Sequence, residues 1–246
     1  VIYEAMKGQL AMSESGGAKE YLMSLLSGYP DIFRRIDEII AAFERYADLL
    51  MAWNRVHNLT AFKSKEEILV RGIIDSLIVL NPRVNRLVQL TEHNQAADFG
   101  SGAGFPGIPL AVVKPAVDFT LIEATHKKAA FLSFVAAELG LENVRVFRGR
   151  VEEFSRLIER KEEKPFDIIF SRAAARINKA IKLSLPLLGK MGKLVVWSSM
   201  DQLKKQETVI KEIMVGYGCK VSVVEPDYEL QLHRANRTAL LVVEKI

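Results

Sequence analysis

The sequence predicts an α/β fold, doubly wound around a mostly parallel sheet, with a small helical N-terminal extension in front of it. From Ala96 onward, short apolar runs alternate with helical stretches. That alternation is expected of buried parallel strands joined by crossover helices. Before Ala96 the apolar residues recur at spacings of three and four instead, which is a helical period. A glycine-rich turn directly follows the first apolar run. In such sheets ligands bind beyond the carboxyl ends of the strands, where the strand order switches.

Val1 to Lys19 mixes small and polar residues without a period and reads as a loosely ordered start. Ile36, Ile39, Ile40, Phe43, Tyr46, Ala47, Leu50 and Trp53 then predict an amphipathic helix over 32–53, with Pro30-Asp31 at its start. A second helical stretch is expected over about 65–80. Residues 82–95 are polar with few apolar anchors and read as a linker. The extension is therefore expected over 1–82 and the core over 83–246. Strands are predicted at 96–99, 119–123, 144–147, 166–170, 193–197 and 239–244, and 220–224 is strand-like. A helix over 127–139 is stopped by Gly140.

Composition removes several classes of function. With 49% apolar and 26% charged residues the chain can bury a sizeable core. Cys219 is the only cysteine, which excludes an intrachain disulfide and a cysteine-based zinc cluster. His57, His93, His126 and His233 show no metal-ligand spacing, so no metal is expected. No apolar run approaches the roughly 20 residues of a membrane span, and no secretory pattern opens the chain. A cytoplasmic monomer is expected. The net charge of +4 hints at a polyanionic partner.

The glycine turn reads Asp98-Phe99-Gly100-Ser101-Gly102-Ala103-Gly104-Phe105-Pro106-Gly107. Gly102, Gly104 and Gly107 fit the dinucleotide pattern G-x-G-x-x-G, which alone is weak and is also met by loops that merely turn the chain. Asp98 puts a carboxylate at the strand end, where a pyrophosphate favours neutral or positive neighbours. A ligand bearing a sulfonium and an ammonium tolerates that acid better. Glu123 ends the next strand, at about the distance where an acid meets a ribose. Two acids flanking a glycine turn describe an S-adenosylmethionine pocket better than a nicotinamide dinucleotide pocket. From the residues alone the acceptor stays open, and so does a non-catalytic RNA-binding assembly factor that holds the same ligand.

Trp53-Asn54-Arg55-Val56-His57-Asn58-Leu59-Thr60-Ala61 resembles the W-N-x-x-x-N-L-T signature of the small-subunit ribosomal RNA methyltransferase G family, also called glucose-inhibited division protein B. The likeness continues at Arg71 to Leu80 (R-x-x-x-D-S-L), through the glycine turn to Leu110, at Arg150-Val151-Glu152-Glu153 and at Ser171-Arg172-Ala173. It implies a Rossmann-like S-adenosylmethionine methyltransferase fold that methylates N7 of a guanine in small-subunit (16S) rRNA, on free RNA or a subunit particle. It also implies cofactor contacts at Gly100 and Phe105, at Glu123, Ala124 and Thr125, at Val151 and Glu152, and at Arg172 near the reactive methyl. Two departures stand out. The family usually has Asp where this chain has Glu123, and it often ends its fifth strand with Lys-Gly where Ser198 and Ser199 stand here.

Guanine N7 is a lone pair without a proton, so attack on a sulfonium methyl needs no general base and no covalent nucleophile. Positioning and exclusion of water supply the catalysis. The chain lacks the Pro-Cys dipeptide of carbon-5 pyrimidine methylation and the Asn/Asp-Pro-Pro-aromatic turn that presents an exocyclic amine. Arg172 is the candidate orienting residue, through the cofactor carboxylate or guanine O6. Candidate RNA contacts are Arg55, Asn58, Lys127, Lys128, Arg148 and Arg150, with Arg145 on the same strand as Arg148; Trp53 is expected to pack inward.

Overall fold

The computed structural model describes residues 22–172, 176–226 and 238–246. The predicted loose start, Ala173 of the Ser-Arg-Ala match and His233 lie outside the described residues.

A short helix α1 (Pro30–Phe33) precedes α2 (Ile36–His57), which buries Ile36, Ile39, Phe43, Tyr46, Ala47, Leu49 and Leu50 on one face. Helix α2 runs one turn past Trp53 because its stop is Asn58, in the left-handed conformation at φ 50°, with its N–H on the Asn54 carbonyl. The expected second stretch is a continuous helical run, α3, in four pieces. Lys65–Glu67 is α-helical, Ile68–Ile74 π-helical, Asp75–Leu77 α-helical and Ile78–Leu80 a 3₁₀ turn. Ser64 caps its start by accepting from the Glu67 N–H.

The linker expected over 82–95 is corrected. Pro82–Val88 forms helix α4, capped by Asn81 and ended by Gln89 at φ 56°. Val84 and Val88, one helical turn apart, are buried. Two apolar residues among polar ones are too short a stripe to show as a period, yet they suffice to dock about two turns.

The core follows the prediction: β1 (Gln95–Phe99), α5 (Gly107–Val113), β2 (Asp118–Glu123), α6 (His126–Glu138), β3 (Val144–Arg148), α7 (Val151–Glu159), β4 (Phe166–Arg172), α8 (Ile177–Ser184), β5 (Leu188–Ser199), α9 (Met200–Lys205), α10 (Glu207–Tyr217), β6 (Cys219–Val224) and β7 (Thr238–Lys245). The sheet order is β3-β2-β1-β4-β5-β7-β6, parallel through β5, with β7 and β6 antiparallel. Strand β5 starts earlier than predicted because Leu188 already pairs with Phe166, before a bulge brings Lys193 opposite Ile168.

Strand order reverses between β1 and β4, so a crevice opens at their carboxyl ends. One apolar cluster joins buried side chains of α2, α3, α4, α5 and α6 to Ala96, Phe119, Ile168 and Val195 of the sheet. A second, on the other face, joins α7, α8, α9 and α10 to Ile169, Leu194 and Leu241. The helical extension thus shares the core of the sheet. Its deepest polar link to the crevice is Tyr46, fully buried, whose hydroxyl donates to the Ala103 carbonyl at 2.6 Å. Burial pushes the Tyr46 phenol well above its ordinary pKa, so it remains a donor at any working pH.

Tyr46→Phe keeps the ring and leaves the Ala103 carbonyl without that donor. It is expected to cost about 1–3 kcal/mol, read as a lower urea midpoint with an unchanged m-value.

Candidate functional site

The turn from β1 into α5 is built on three left-handed glycines, Gly100 (φ 69°), Gly102 (φ 60°) and Gly104 (φ 106°). Their reasons differ. A Cβ on Gly104 would sit 2.7 Å from the Tyr46 hydroxyl and 2.8 Å from Ile108, and one on Gly107 would meet Leu121 and the Asp98 carboxylate. These two are small because the protein fills the space beside them. A Cβ on Gly102 would meet only the Gly100 carbonyl, at 3.7 Å. Its outer face is open, as a cradle for a ligand requires.

Asp98 supports the turn from below. It is fully buried, and its Oδ2 accepts from the Gly107 N–H at 3.1 Å, at the start of α5. The Ser101 hydroxyl donates to the Asp98 carbonyl at 2.9 Å. Oδ1 is buried without a hydrogen-bond partner. Burial therefore raises the carboxyl to about 7, opposed by the Gly107 and Ser101 hydrogen bonds and by Arg172, and reinforced by Glu123.

Glu123 closes the turn from the side. Its Oε2 accepts from the Gly102 N–H at 2.9 Å and its Oε1 from the Thr125 N–H at 2.7 Å. Its own carbonyl accepts from the Gly149 N–H at 3.1 Å, which ties the ends of β2 and β3 together. Ala124 and Thr125 are exposed beside it. Val151 is buried as the first residue of α7 and Glu152 beside it is exposed; the neighbouring Glu153 accepts from the Arg150 N–H at 3.1 Å. The candidate pocket residues on β1, β2 and β3 thus share one rim.

Arg172 ends β4 on the other side of β1. Its Nη1 donates to the Gly72 carbonyl at 3.0 Å and lies 3.3 Å from the Ser76 hydroxyl. Its Nη2 donates to the Arg71 carbonyl and pairs with Asp75 at 2.9 Å. The guanidinium also lies 5.9 Å from the centre of the Phe105 ring. Both Nη atoms thus point into α3.

The basic candidates separate. Arg148 pairs in register with Glu123, and Arg150 follows it; both are exposed at the carboxyl rim, as is Lys127 at the start of α6, while Lys128 is half-buried. Arg145 lies nearer the opposite end of β3, bonded to Glu163 at 2.7 and 3.0 Å. Arg55 is exposed, whereas Asn58 is the helix stop described above. Asn54 accepts from the Thr60 N–H at 2.9 Å and donates to the Phe62 carbonyl at 3.2 Å, closing the loop after α2. Trp53 packs on Phe131 and Phe134, as expected. Ser199, where the likeness departs, accepts from the Gln202 N–H at 3.3 Å and so caps α9.

Residues that sequence reasoning left without a role are Tyr46, Asp75 and Gly72. The signal for Asp75 was present: an acid amid Ile73, Ile74, Leu77 and Ile78 on a helix has to be paired.

A seven-stranded, mostly parallel sheet with an open glycine turn at its switch point is the architecture of the Rossmann-like methyltransferases. Solved structures share it: an O-methyltransferase from Bacillus cereus in complex with SAH (TM-score 0.57, 18% identity, 82% of this chain and 91% of that one) and the tomaymycin-synthesis O-methyltransferase of Streptomyces achromogenes in complex with SAM (TM-score 0.55, 17% identity, 82% and 90%). Within that class, residues 39–232 match the family model described as rRNA small subunit methyltransferase G. The chain is 34% identical over 229 residues to the ribosomal RNA small subunit methyltransferase G of Alkaliphilus metalliredigens, covering 92% of this chain and 91% of that one. It is 32% identical to that of Streptococcus gordonii, covering 82% and 81%. The chain belongs to the rRNA small subunit methyltransferase G family.

The raised carboxyl of Asp98 makes stability depend on pH. A folded-state pKa of about 7, above the ordinary 3.8, means that the folded protein holds this proton where the unfolded chain has lost it. The contribution is complete below about pH 4 and declines as pH rises through about 7. Measured against D98N in urea across pH 4 to 8, the parent is expected to lose a few kcal/mol of relative stability over that window. A constant difference across the range would show that Asp98 does not titrate there.

Proposed function

We propose that this protein transfers the methyl group of S-adenosylmethionine to N7 of a guanine in small-subunit rRNA, acting as a monomer in the cytoplasm on RNA or a subunit particle. Family membership makes the chain an rRNA methyltransferase. The open face of Gly102, between buried Asp98 and Glu123, is the observation that carries the cofactor reading. S-adenosylmethionine supplies the electrophilic sulfonium methyl.

In this reading the protein's residues bind and orient. Gly100, Gly102 and Phe105 form the floor, and the Asp98 Oδ1 without a partner is suited to a cation-bearing ligand. Glu123, already oriented by two backbone N–H groups, takes the ribose with Ala124 and Thr125 beside it. Val151 and Glu152 flank the adenine. Arg172 orients the reactive end, and its bonds into α3 favour an action through Phe105 rather than a direct contact with guanine. Lys127, Lys128, Arg148 and Arg150 form a basic rim suited to phosphates, with Arg55 and Asn58 as outlying RNA contacts. Among the described residues no group of His, Cys, Asp and Glu is arranged to hold a metal ion, and no helix is long and apolar enough to cross a membrane.

Incubation with unmethylated small subunits and labelled donor, followed by nucleoside mapping, is expected to yield 7-methylguanosine. The single-turnover rate at saturating RNA should be nearly flat across neutral pH, because N7 carries no proton for a base to remove. Label on an exocyclic amine or a ribose would overturn the N7 assignment.

Gly102→Val puts a branched side chain on the open face of the turn. Calorimetry should find donor binding collapsed in a protein that still unfolds cooperatively. Unchanged affinity would remove Gly102 from the pocket.

A further inference from the structure

We infer that Asp75 is a positioning residue for methyl transfer, acting through Arg172 to hold the Phe105 ring, and with it the glycine turn, against Gly72. The inference rests on the proposed role of Arg172 at the reactive end of the pocket.

Arg172 receives four acceptors from one short stretch of α3: the carbonyls of Arg71 and Gly72, the Ser76 hydroxyl and the Asp75 carboxylate. The carbonyls belong to the π-helical piece, whose wider turn presents backbone groups off the usual i−4 ladder. Three of these acceptors are neutral and direct the guanidinium without balancing its charge. Asp75 balances it. The side chains of the pair are only 17% and 6% exposed, so solvent does little to screen it.

Asp75 is itself held from outside its helix. The Thr238 hydroxyl at the start of β7 donates to its Oδ1 at 3.0 Å, and the Trp197 indole of β5 donates to its carbonyl at 2.9 Å. The acid is therefore fixed by β5 and β7, and it in turn fixes a side chain of β4.

The far end of this chain of contacts is the pocket. A Cβ on Gly72 would lie 2.6 Å from Cζ of Phe105, so the ring rests against bare backbone there, with the Arg172 guanidinium 5.9 Å from its centre. Tyr46 and Phe62 complete the ring's surroundings, with centroids 5.5 and 5.8 Å away. Phe105 belongs to the glycine turn, and the clamp stands on the β4 side of β1, across from Glu123 on the β2 side.

The test is a double-mutant cycle on the full chain. Single-turnover methyl transfer, with S-adenosylmethionine and small subunits both saturating, is measured for the parent, Asp75→Asn, Arg172→Gln and the double variant, beside the unfolding midpoint of each. Each single change should slow transfer about tenfold to a hundredfold, the scale of a small misplacement of reacting groups. The double variant should be no slower than the slower single, because without the guanidinium Asp75 has nothing to position. Losses that multiply in the double variant would overturn the inference, as would lowered midpoints with parental rates in the folded fraction. A slow Arg172→Gln beside a parental Asp75→Asn would overturn this inference alone. A parental Arg172→Gln would overturn the role of Arg172 and this inference with it. Should Asp75→Asn fail to fold, Thr238→Val decides. It removes the hydroxyl that holds Oδ1, leaves the ion pair, and should slow transfer about threefold or more in the parent but not in Arg172→Gln. An unchanged rate in Thr238→Val would then overturn the inference.

Discussion

The chain has to leave β1, turn through seven residues and enter α5 while keeping the outer side of that turn clear. A loop that turns so tightly exposes N–H groups on its inner side, and the fold answers them with acceptors beneath and beside it. Asp98 takes the Gly107 N–H, Glu123 takes that of Gly102, and the Ile122 carbonyl takes that of Gly100 at 2.9 Å. The remaining direction is filled by Tyr46, which donates to the Ala103 carbonyl. Gly102 is left with open space above it. Both acids thus serve the backbone of the turn.

The helical segments before β1 pack against this turn. Helix α2 reaches the turn through Tyr46, and α3 reaches it through Gly72 against Phe105. Both contributions depend on the absence of bulk: a Cβ on Gly104 would collide with Tyr46, and one on Gly72 with Phe105. Close-packed interiors transmit such shape requirements because they have few voids to absorb them. A region of sequence that precedes the sheet and resembles an appendage thus shapes the glycine turn.

The alternation of short apolar runs with helical stretches was enough to read the sheet, since buried parallel strands carry their signal within each segment. The acids at the ends of β1 and β2 were legible for the same reason: strand ends are easily located, and a carboxylate there stands out. What could not be read depends on contacts that no period or spacing announces. Asn54 closes a loop with its side chain and Asn58 stops a helix with its backbone, and neither role shows in the spacing. Arg145 and Arg148 lie on one strand and face different ends of the molecule, one bonded to Glu163 and the other opposite Glu123. Helix α4 was hidden because two valines carry its whole contact with the core. The likeness to a family located Arg172 near the pocket, but only the folded chain shows that its guanidinium is turned toward α3.

The hydrogen bond between Asp75 and Thr238 joins residues 163 positions apart. Strand β7 lies between β5 and β6, so the sheet has a gap until that strand arrives. During synthesis the N-terminal parts of a chain emerge and begin to fold first. Helix α3 and the glycine turn are therefore made long before the strand that secures them, and contacts of such long range form late. A growing chain still lacking β7 carries the glycine turn and its two acids without the Thr238 hydrogen bond to Asp75. Under the proposed role of Asp75, the hold on Arg172 is complete only once Thr238 has docked, so the order of synthesis sets when it is made.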